Sequence, residues 1–447
     1  MTKKNLPLPP SGFGLPFISE TLGFFTDRDF VTKYYRKYGK IFKSNILGRP
    51  TVFIIGLEAN KFILSTHLDY FSLREGFPKS FRELLGRSLA FQDKEEHQNN
   101  RRLMMPAFHG KALENYIETM IEITEDYCQQ WLKKGKIVWF PEFKQLTFAI
   151  ASTLLIGADF GDAKGTLRAR HSSTSVAQLD RWFTELTKGL FAIPLRLPIT
   201  TYGKALRARD KILTYLESVI ALKRNNLGTD VLSLLMHSED EEGNSLSLEE
   251  LKAQAILLLF AGHETTTSLL TSFCMVLARR PDICQKLRDE QEYLGLELPL
   301  NLASLKQMTY LERTIEEVGR IYPPIAGGFR SVVEEVEFDG YRIPKGWLVF
   351  YRTSATHLDP DIFPNPHEFN PDRHLQRAPE YSLVTYGGGS RVCLGMAFAK
   401  MEIKIIAAIL LRSYQWELLP NQNLALNIFP TLRPRDGLLV NFTKYFR

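Results

Sequence analysis

One stretch of the 447-residue chain gathers residue types able to do chemistry: Tyr386-Gly387-Gly388-Gly389-Ser390-Arg391-Val392-Cys393-Leu394-Gly395. It runs directly into residues 396–411, whose spacing predicts a helix. A cysteine just ahead of a helix start has its thiolate favoured over the thiol by backbone N–H groups and the helix dipole. A thiolate is an iron ligand that pushes electron density onto the metal and favours O–O cleavage. Three consecutive glycines admit backbone conformations and close approaches denied to residues with a Cβ, as a chain passing under a flat macrocycle requires. Arg391 is placed to pair with an anionic group on such a macrocycle. The plain alternative is a buried structural cysteine beside a glycine turn. Gly, Arg, Cys and Gly at these four offsets arise by chance on the order of once in a thousand chains, which favours the liganding reading.

A second cluster, Ala261-Gly262-His263-Glu264-Thr265-Thr266, puts adjacent polar residues inside an otherwise apolar helical run. Solvent exposure of one face is the plain reading; an acid beside a hydroxyl is also a suitable pair for moving protons. At helical spacing His263 should point about 100° away from Glu264, as a neighbour and not a ligand. A third cluster is Glu317-Val-Gly-Arg320, ahead of Ile-Tyr322-Pro-Pro324, with charges at i and i+3 on one helical face. It is followed by Phe369-Asn370-Pro371-Asp372-Arg373. A fourth is His97 and Arg101 at i, i+4, before Arg102 and Pro106-Ala-Phe108.

The elements that must carry these residues are mostly helical. Ser247 and Glu250 form a capping box that opens a helix of about 33 residues, ended by Pro281. At about 50 Å such a helix crosses a whole domain. Strands are expected at 40–47 and 51–55 around Gly48-Arg49-Pro50, and at 332–338 and 341–350 around Asp339-Gly340. A mainly α body with a smaller sheet drawn from distant parts of the chain makes residues 1–447 one domain.

Composition sets outer limits. With 44% hydrophobic and 24% charged residues, 30 Phe and 17 Tyr, the chain is suited to a thick core and not to disorder. Four scattered cysteines, at 128, 274, 284 and 393, cannot form a disulfide framework. The start, Met-Thr-Lys-Lys-Asn into Leu6-Pro-Leu-Pro-Pro10, has no room for a signal core or for about 20 apolar residues. A soluble, cytoplasmic protein is therefore expected. A net charge of +6 with interspersed signs does not indicate nucleic acid binding; it fits simple solubility or a basic face for an acidic protein partner.

Together these motifs resemble the cytochrome P-450 family. The Cys393 segment is similar to its haem-binding Phe-x-x-Gly-x-Arg-x-Cys-x-Gly loop, with Tyr386 standing where Phe is usual. The resemblance implies a haem-thiolate fold with a long central helix, and haem b ligated by Cys393, the metal ligand, with Gly395 in the same loop. It implies that Glu264 and Thr265 organise proton delivery beside a groove left by Ala261 and Gly262. Glu317, Arg320 and Arg373 become a structural ion triad. His97, where tryptophan is common, Arg101, Arg330 and Arg391 become partners of the haem propionates.

Within the family, residues 6–17 and Leu190-Phe-Ala-Ile-Pro-Leu-Arg-Leu-Pro198 with Leu206-Arg-Ala-Arg209 are similar to segments of retinoic acid hydroxylases. The implied activity is O2-dependent hydroxylation of a retinoid or related isoprenoid acid. Phe77, Trp182, Phe183, Leu258, Ala261, Ile325, Phe329 and Phe429 are the candidate substrate contacts, each of which could equally be core. Arg74, Lys79 or Arg82 is the candidate for receiving a substrate carboxylate. No stretch resembles a flavin or ferredoxin module, so electrons are expected from a separate ferredoxin or flavodoxin docking at Arg101, Arg102 and Lys400. Fatty acid or other lipid hydroxylation and a peroxide-driven relative stay open, as does a haem-based ligand carrier or sensor.

Overall fold

The structure is a computed structural model that describes every residue except 1–5, 12–18, 28, 47, 159–175, 225–227, 296–299 and 447. Half of the first subgroup segment, residues 12–17, lies outside the described residues. Tertiary contacts group the chain into two units.

The first unit comprises residues 1–77, 313–393 and 425–435. Its sheet has five strands in the order Ile41–Ile46, Arg49–Ile54, Leu348–Tyr351, Gly328–Val332 and Phe71–Ser72. All neighbours are antiparallel except Arg49–Ile54 with Leu348–Tyr351. The expected pairing of distant chain segments is therefore present. Phe53 sits opposite both Phe42 and Phe350 in register. With Phe24 and Phe30 these rings form a buried aromatic layer; Phe42 and Phe53 stack at 4.8 Å.

Strand limits differ from the expectation in three places. Arg49 and Pro50 belong to a strand, because pairing with Leu348–Tyr351 begins only at Thr51 and no ladder partner needs the missing Pro50 N–H. Residues 332–338 divide at Glu334 and Glu335, two exposed adjacent acids. Residues 341–350 divide at Pro344-Lys345-Gly346, where Pro344 cannot donate and Gly346 adopts φ +86°.

The second unit comprises residues 78–312, 394–424 and 436–447 and is chiefly helical. Its longest helix, Leu248–Arg279, has 32 residues and opens with the expected Ser247–Glu250 capping box. Pro281 begins the next helix, Pro281–Leu294. The long helix packs on Trp139–Ile156, while Val176–Leu190 packs on Thr201–Lys223. A three-stranded sheet, Lys136–Val138, Leu439–Lys444 and Tyr414–Leu418, adds Phe442 to a buried cluster with Trp131, Trp139 and Phe143. Among the described residues no helix is long and apolar enough to cross a membrane.

Candidate active site

In the first unit the cysteine loop is built from nested turns. The N–H of Gly387 donates to Val384 O at 2.9 Å, that of Val392 to Gly389 O at 3.2 Å, and that of Cys393 to Tyr386 O at 2.8 Å. Gly387 and Gly389 have φ of +76° and +59°, the left-handed region that favours glycine. A Cβ at Gly389 would lie 2.1 Å from the Leu64 carbonyl oxygen, so the loop is pressed against backbone there. Cys393 is exposed, whereas Cys128 and Cys274 are buried. Arg391 is half-buried on the same loop.

The charge cluster lies in this unit as well. Glu317 and Arg320 are fully buried; Glu317 Oε2 meets Arg320 Nε at 2.8 Å and Oε1 meets Arg373 Nε at 2.9 Å. His374 Nε2 stands 2.9 Å from Oε2, and the Asn370 N–H donates to Oε1 at 3.0 Å. The triad is thus a tetrad with a backbone donor, and His374 was missed although it adjoins Arg373 in sequence. Burial pushes the Glu317 carboxyl up, but Arg320 and His374 outweigh it and hold it at about 2. The cluster reaches the cysteine loop through two contacts. Thr385 Oγ1 donates to Gly319 O at 3.3 Å, and the Val384 N–H donates to the buried His357 ring at 3.0 Å.

Arg330 is a further buried cation of this unit. Its guanidinium is buried, 6% exposed, donates to Phe329 O at 2.8 Å and lies over the Tyr351 ring at 5.1 Å. Among the described residues no carboxylate pairs with it, which leaves a buried cation suited to an anionic group supplied from outside the chain. The described residues also contain no group of three or more His, Cys, Asp or Glu able to hold a metal. An iron on Cys393 would have to bring its other ligands with it, as a tetrapyrrole does. The thiol, the glycine loop and Arg330 therefore fit haem.

In the second unit the long helix carries the polar cluster. Ala261 is exposed, but Gly262 faces the helix Trp139–Ile156, where a Cβ would lie 2.9 Å from a Leu155 methyl. Gly262 therefore serves close helix packing, and Ala261 alone of the pair leaves open space. Glu264 is buried, with Oε1 2.6 Å from Lys144 Nζ and 3.4 Å from His263 Nε2. His263 does not point away from it as expected, because the rotatable bonds of a glutamate swing its carboxylate round the helix. Burial pushes Glu264 up, yet His263 and Lys144 bring it down to about 2. Asp180, on Val176–Leu190, goes the other way: burial raises it, with His263 and Lys144 opposing. Thr265 is half-buried and its hydroxyl donates to Ala261 O at 3.0 Å.

Helix Lys94–Met104 places His97 buried, Arg101 half-buried and Arg102 exposed. Gly395 immediately precedes helix Met396–Ser413. Lys400 on that helix stands 3.3 Å from Glu312. Glu402, buried with neither carboxyl oxygen hydrogen-bonded at good geometry, went unnoticed in the sequence; burial pushes it well above the usual range, with the Thr266 hydroxyl opposing.

The substrate candidates divide. Phe183 is 1% exposed against Phe148 and His263, and Leu258 is also buried. Phe329 and Phe429 pack into the aromatic layer around Phe24. Phe77 and Trp182 are half-buried, the latter with Lys211 over its ring, and Ile325 is 56% exposed. Arg74 and Lys79 are exposed; Arg82 is half-buried with its Nε unpartnered.

Comparison with known proteins agrees with this arrangement. The sequence profile described as Cytochrome P-450 matches residues 9–442. The chain is 40% identical to the putative cytochrome P-450 120 of Synechocystis sp., covering 98% of this chain and 97% of that protein. It is 37% identical to cytochrome P-450 26A1 of Gallus gallus, over 98% and 90% of the two chains. A solved structure of retinoic acid bound cyanobacterial CYP120A1 superposes with a TM-score of 0.89 at 39% identity, covering 98% of this chain and all of the other. On these matches the chain belongs to the cytochrome P-450 family.

Proposed function

We propose that this chain is a haem-thiolate monooxygenase that hydroxylates retinoic acid or a closely related isoprenoid acid. The observation that carries it is the exposed Cys393 on a hydrogen-bonded glycine loop, in a fold matched by a relative solved with retinoic acid bound. Residues 1–447 form one catalytic domain, a reading supported by a single family profile over residues 9–442.

Haem b, when bound, would supply dioxygen reduction and O–O cleavage, which thiolate ligation promotes. The chain's residues do the rest. Cys393 contributes the thiolate, stabilised by its place just ahead of helix Met396–Ser413. Arg330, Arg391, Arg101 and His97 would hold the haem carboxylates, by charge-assisted hydrogen bonds. Glu264 and Thr265 move protons, Glu264 being ionised against Lys144 and Thr265 offering its hydroxyl oxygen. Glu317, Arg320 and Arg373 fix the backbone that presents Cys393.

The balance is substrate C–H, O2, two electrons and two protons to C–OH and water. Electrons come from a separate ferredoxin or flavodoxin; Arg101 and Arg102 are the basic residues offered to it, while Lys400 is partly neutralised by Glu312. Ala261 and Trp182, exposed and half-buried, are the substrate contacts favoured here over the fully buried Phe183.

The test is the absorption spectrum of reduced protein under carbon monoxide, followed by titration of the ferric protein with retinoic acid and turnover with a ferredoxin and its reductase. A Soret band at about 450 nm, a retinoid-induced spin shift and a hydroxylated retinoid are expected. A band at about 420 nm defeats thiolate ligation. A 450 nm band with no retinoid spin shift and no product defeats the substrate assignment alone.

A further inference from the structure

His263 stands on the long helix Leu248–Arg279 directly ahead of Glu264 and is 1% exposed. Its ring is closely held. Nδ1 lies 2.5 Å from Leu259 O, and the rings of Phe148 and Phe183 meet it edge-on at 5.2 Å and 5.5 Å. Nε2 lies 3.4 Å from Glu264 Oε1, the same oxygen that Lys144 Nζ meets at 2.6 Å.

These contacts fix where protons must be. A carbonyl oxygen only accepts, so Nδ1 carries a hydrogen and donates it to Leu259 O. An ionised carboxylate also only accepts, and a bare Nε2 would set one lone pair against another in a buried site. One proton therefore lies between Nε2 and Oε1. Both of its possible homes are satisfied. On Nε2 it makes an imidazolium that donates to a carboxylate; on Oε1 it makes a carboxylic acid that donates to the bare Nε2. The bond from Nδ1 to Leu259 O persists in either state. The crossing breaks one N–H bond and forms one O–H bond without turning the ring, and a small swing of the glutamate about its rotatable bonds closes the 3.4 Å gap.

The surrounding charges suit such a store. Besides Glu264, Lys144 reaches the ring's surroundings from helix Trp139–Ile156 and Asp180 from helix Val176–Leu190, so two carboxyl groups face an ammonium and an imidazolium. The Lys144 side chain is 25% exposed, which gives the cluster an edge on solvent from which a spent proton is replaced.

We propose that His263 acts through Glu264 as a positioning residue, storing a proton on Nε2 and returning it to Glu264 once that carboxyl has given one toward Thr265. The inference rests on the reading of Glu264 and Thr265 as the pair that moves protons.

The haem-loaded full chain is prepared with isotope-labelled histidine, and its reduced carbon monoxide form is read by nitrogen NMR beside Glu264→Gln, His263→Gln and His263→Asn. The ring signals missing from His263→Gln belong to His263. Both nitrogens of that ring should carry hydrogen in wild type, and only Nδ1 in Glu264→Gln. In turnover, His263→Gln can still donate to Glu264 but cannot release that proton, so kcat should fall about tenfold with KM unchanged and a larger solvent isotope effect. His263→Asn, which keeps only the bond to Leu259 O, should be slowed likewise. An unchanged carbon monoxide spectrum and thermal midpoint show that the variants remain folded, and the wild-type NMR result does not depend on them. A bare Nε2 in active wild type overturns the proposal and leaves the catalytic reading standing. Wild-type turnover by His263→Asn also overturns it, by making the ring a backbone anchor only. Wild type that forms no hydroxylated product, although both ring nitrogens carry hydrogen, removes the reading of Glu264 and the relay built on it.

Discussion

The backbone N–H of Val384 donates to Nε2 of His357 at 3.0 Å, while Nδ1 of the same ring faces the Arg320 carbonyl at 3.2 Å. A neutral imidazole protonated on Nδ1 satisfies both contacts. Burial holds the His357 ring down to about 4, against the hydrogen bond to Arg320, which raises it. Arg320 closes the circuit by donating to His357 O at 2.7 Å. One neutral ring thus couples the buried charge cluster to the cysteine loop.

Haem retention should therefore have an acid edge. The folded value of His357, about 4, lies below its ordinary 6.5, and that of Glu317, about 2, lies below 4.5. A group depressed on folding stabilises above its unfolded value and loses that stability as pH falls through the folded one. The thermal midpoint should decline from pH 6.5 toward 4 through His357, then further from 4.5 toward 2 through Glu317. His357→Gln should flatten the upper part. A midpoint constant from pH 6.5 to 4 would contradict this coupling.

Removing Glu317 leaves Arg320 buried without its counter-charge, which costs about 3–5 kcal/mol. Glu317→Ala is expected to yield protein lacking haem, and Arg320→Ala likewise. Replacing His374 by Asn should be milder, since Arg320 and Arg373 still pair with the carboxylate. Haem content and denaturant midpoints measure the series; a Glu317→Ala protein with full haem would refute the structural role.

Lys144 is the lever on Glu264. Replacing it with Met removes an ion pair from a carboxyl that burial already pushes up, so its value should rise from about 2. The wild-type rate should show no Glu264 titration above pH 5, and Lys144→Met should move the acid limb to higher pH by part of the depression, since His263 still lowers the carboxyl. Glu264→Gln should slow turnover by about 100-fold with the 450 nm band intact. Superimposable pH profiles for wild type and Lys144→Met would disprove the lever.

Glu402 has the opposite sign. Its carboxyl is raised on folding, so its contribution is fully favourable below 4.5 and is lost as pH rises toward the folded value. Glu402→Gln keeps the shape without the charge and should stabilise by about 1–3 kcal/mol at pH 8, with no gain at pH 4. Equal gains at both pH values would mean that ionisation is not the cause.

Two apolar substitutions separate core from substrate contact. Phe183→Ala should destabilise by about 3–5 kcal/mol, because the ring is buried against Phe148 and His263. Ala261→Leu should leave the melting midpoint within a degree or two while weakening the retinoid spin shift about tenfold. Reversal of these two effects would exchange the assignments.

The parts legible in the sequence share a cause: their information is local. The Ser247–Glu250 box, the Glu317–Arg320 pair and the glycines around Cys393 are written within one helical turn or one loop. Lys144 was not legible as the partner of Glu264, because 120 positions separate them and no period links them. The same holds for His357 and Val384. His374 could have been noticed, since a third polar group beside Arg373 suits a carboxylate with more lone pairs than two guanidiniums use. Aromatic character alone could not separate a buried ring such as Phe183 from a half-buried one such as Trp182, and composition could not show that Gly262 faces Leu155. The strand breaks at Pro344 and at the Glu334–Glu335 bend carried local signals that a hydrophobicity reading passed over.

The bond from Thr265 Oγ1 to Ala261 O has a kinetic consequence. With its proton committed to the helix backbone, the hydroxyl presents lone pairs only, so it receives a proton readily but gives one only after its O–H turns about the Cβ–Oγ bond. Such a rotation takes picoseconds to nanoseconds for a side chain that is not enclosed, whereas enzyme turnover runs at about 1–1000 per second. The hydroxyl therefore samples both orientations many thousands of times within each catalytic cycle, and its reorientation does not set the pace of turnover.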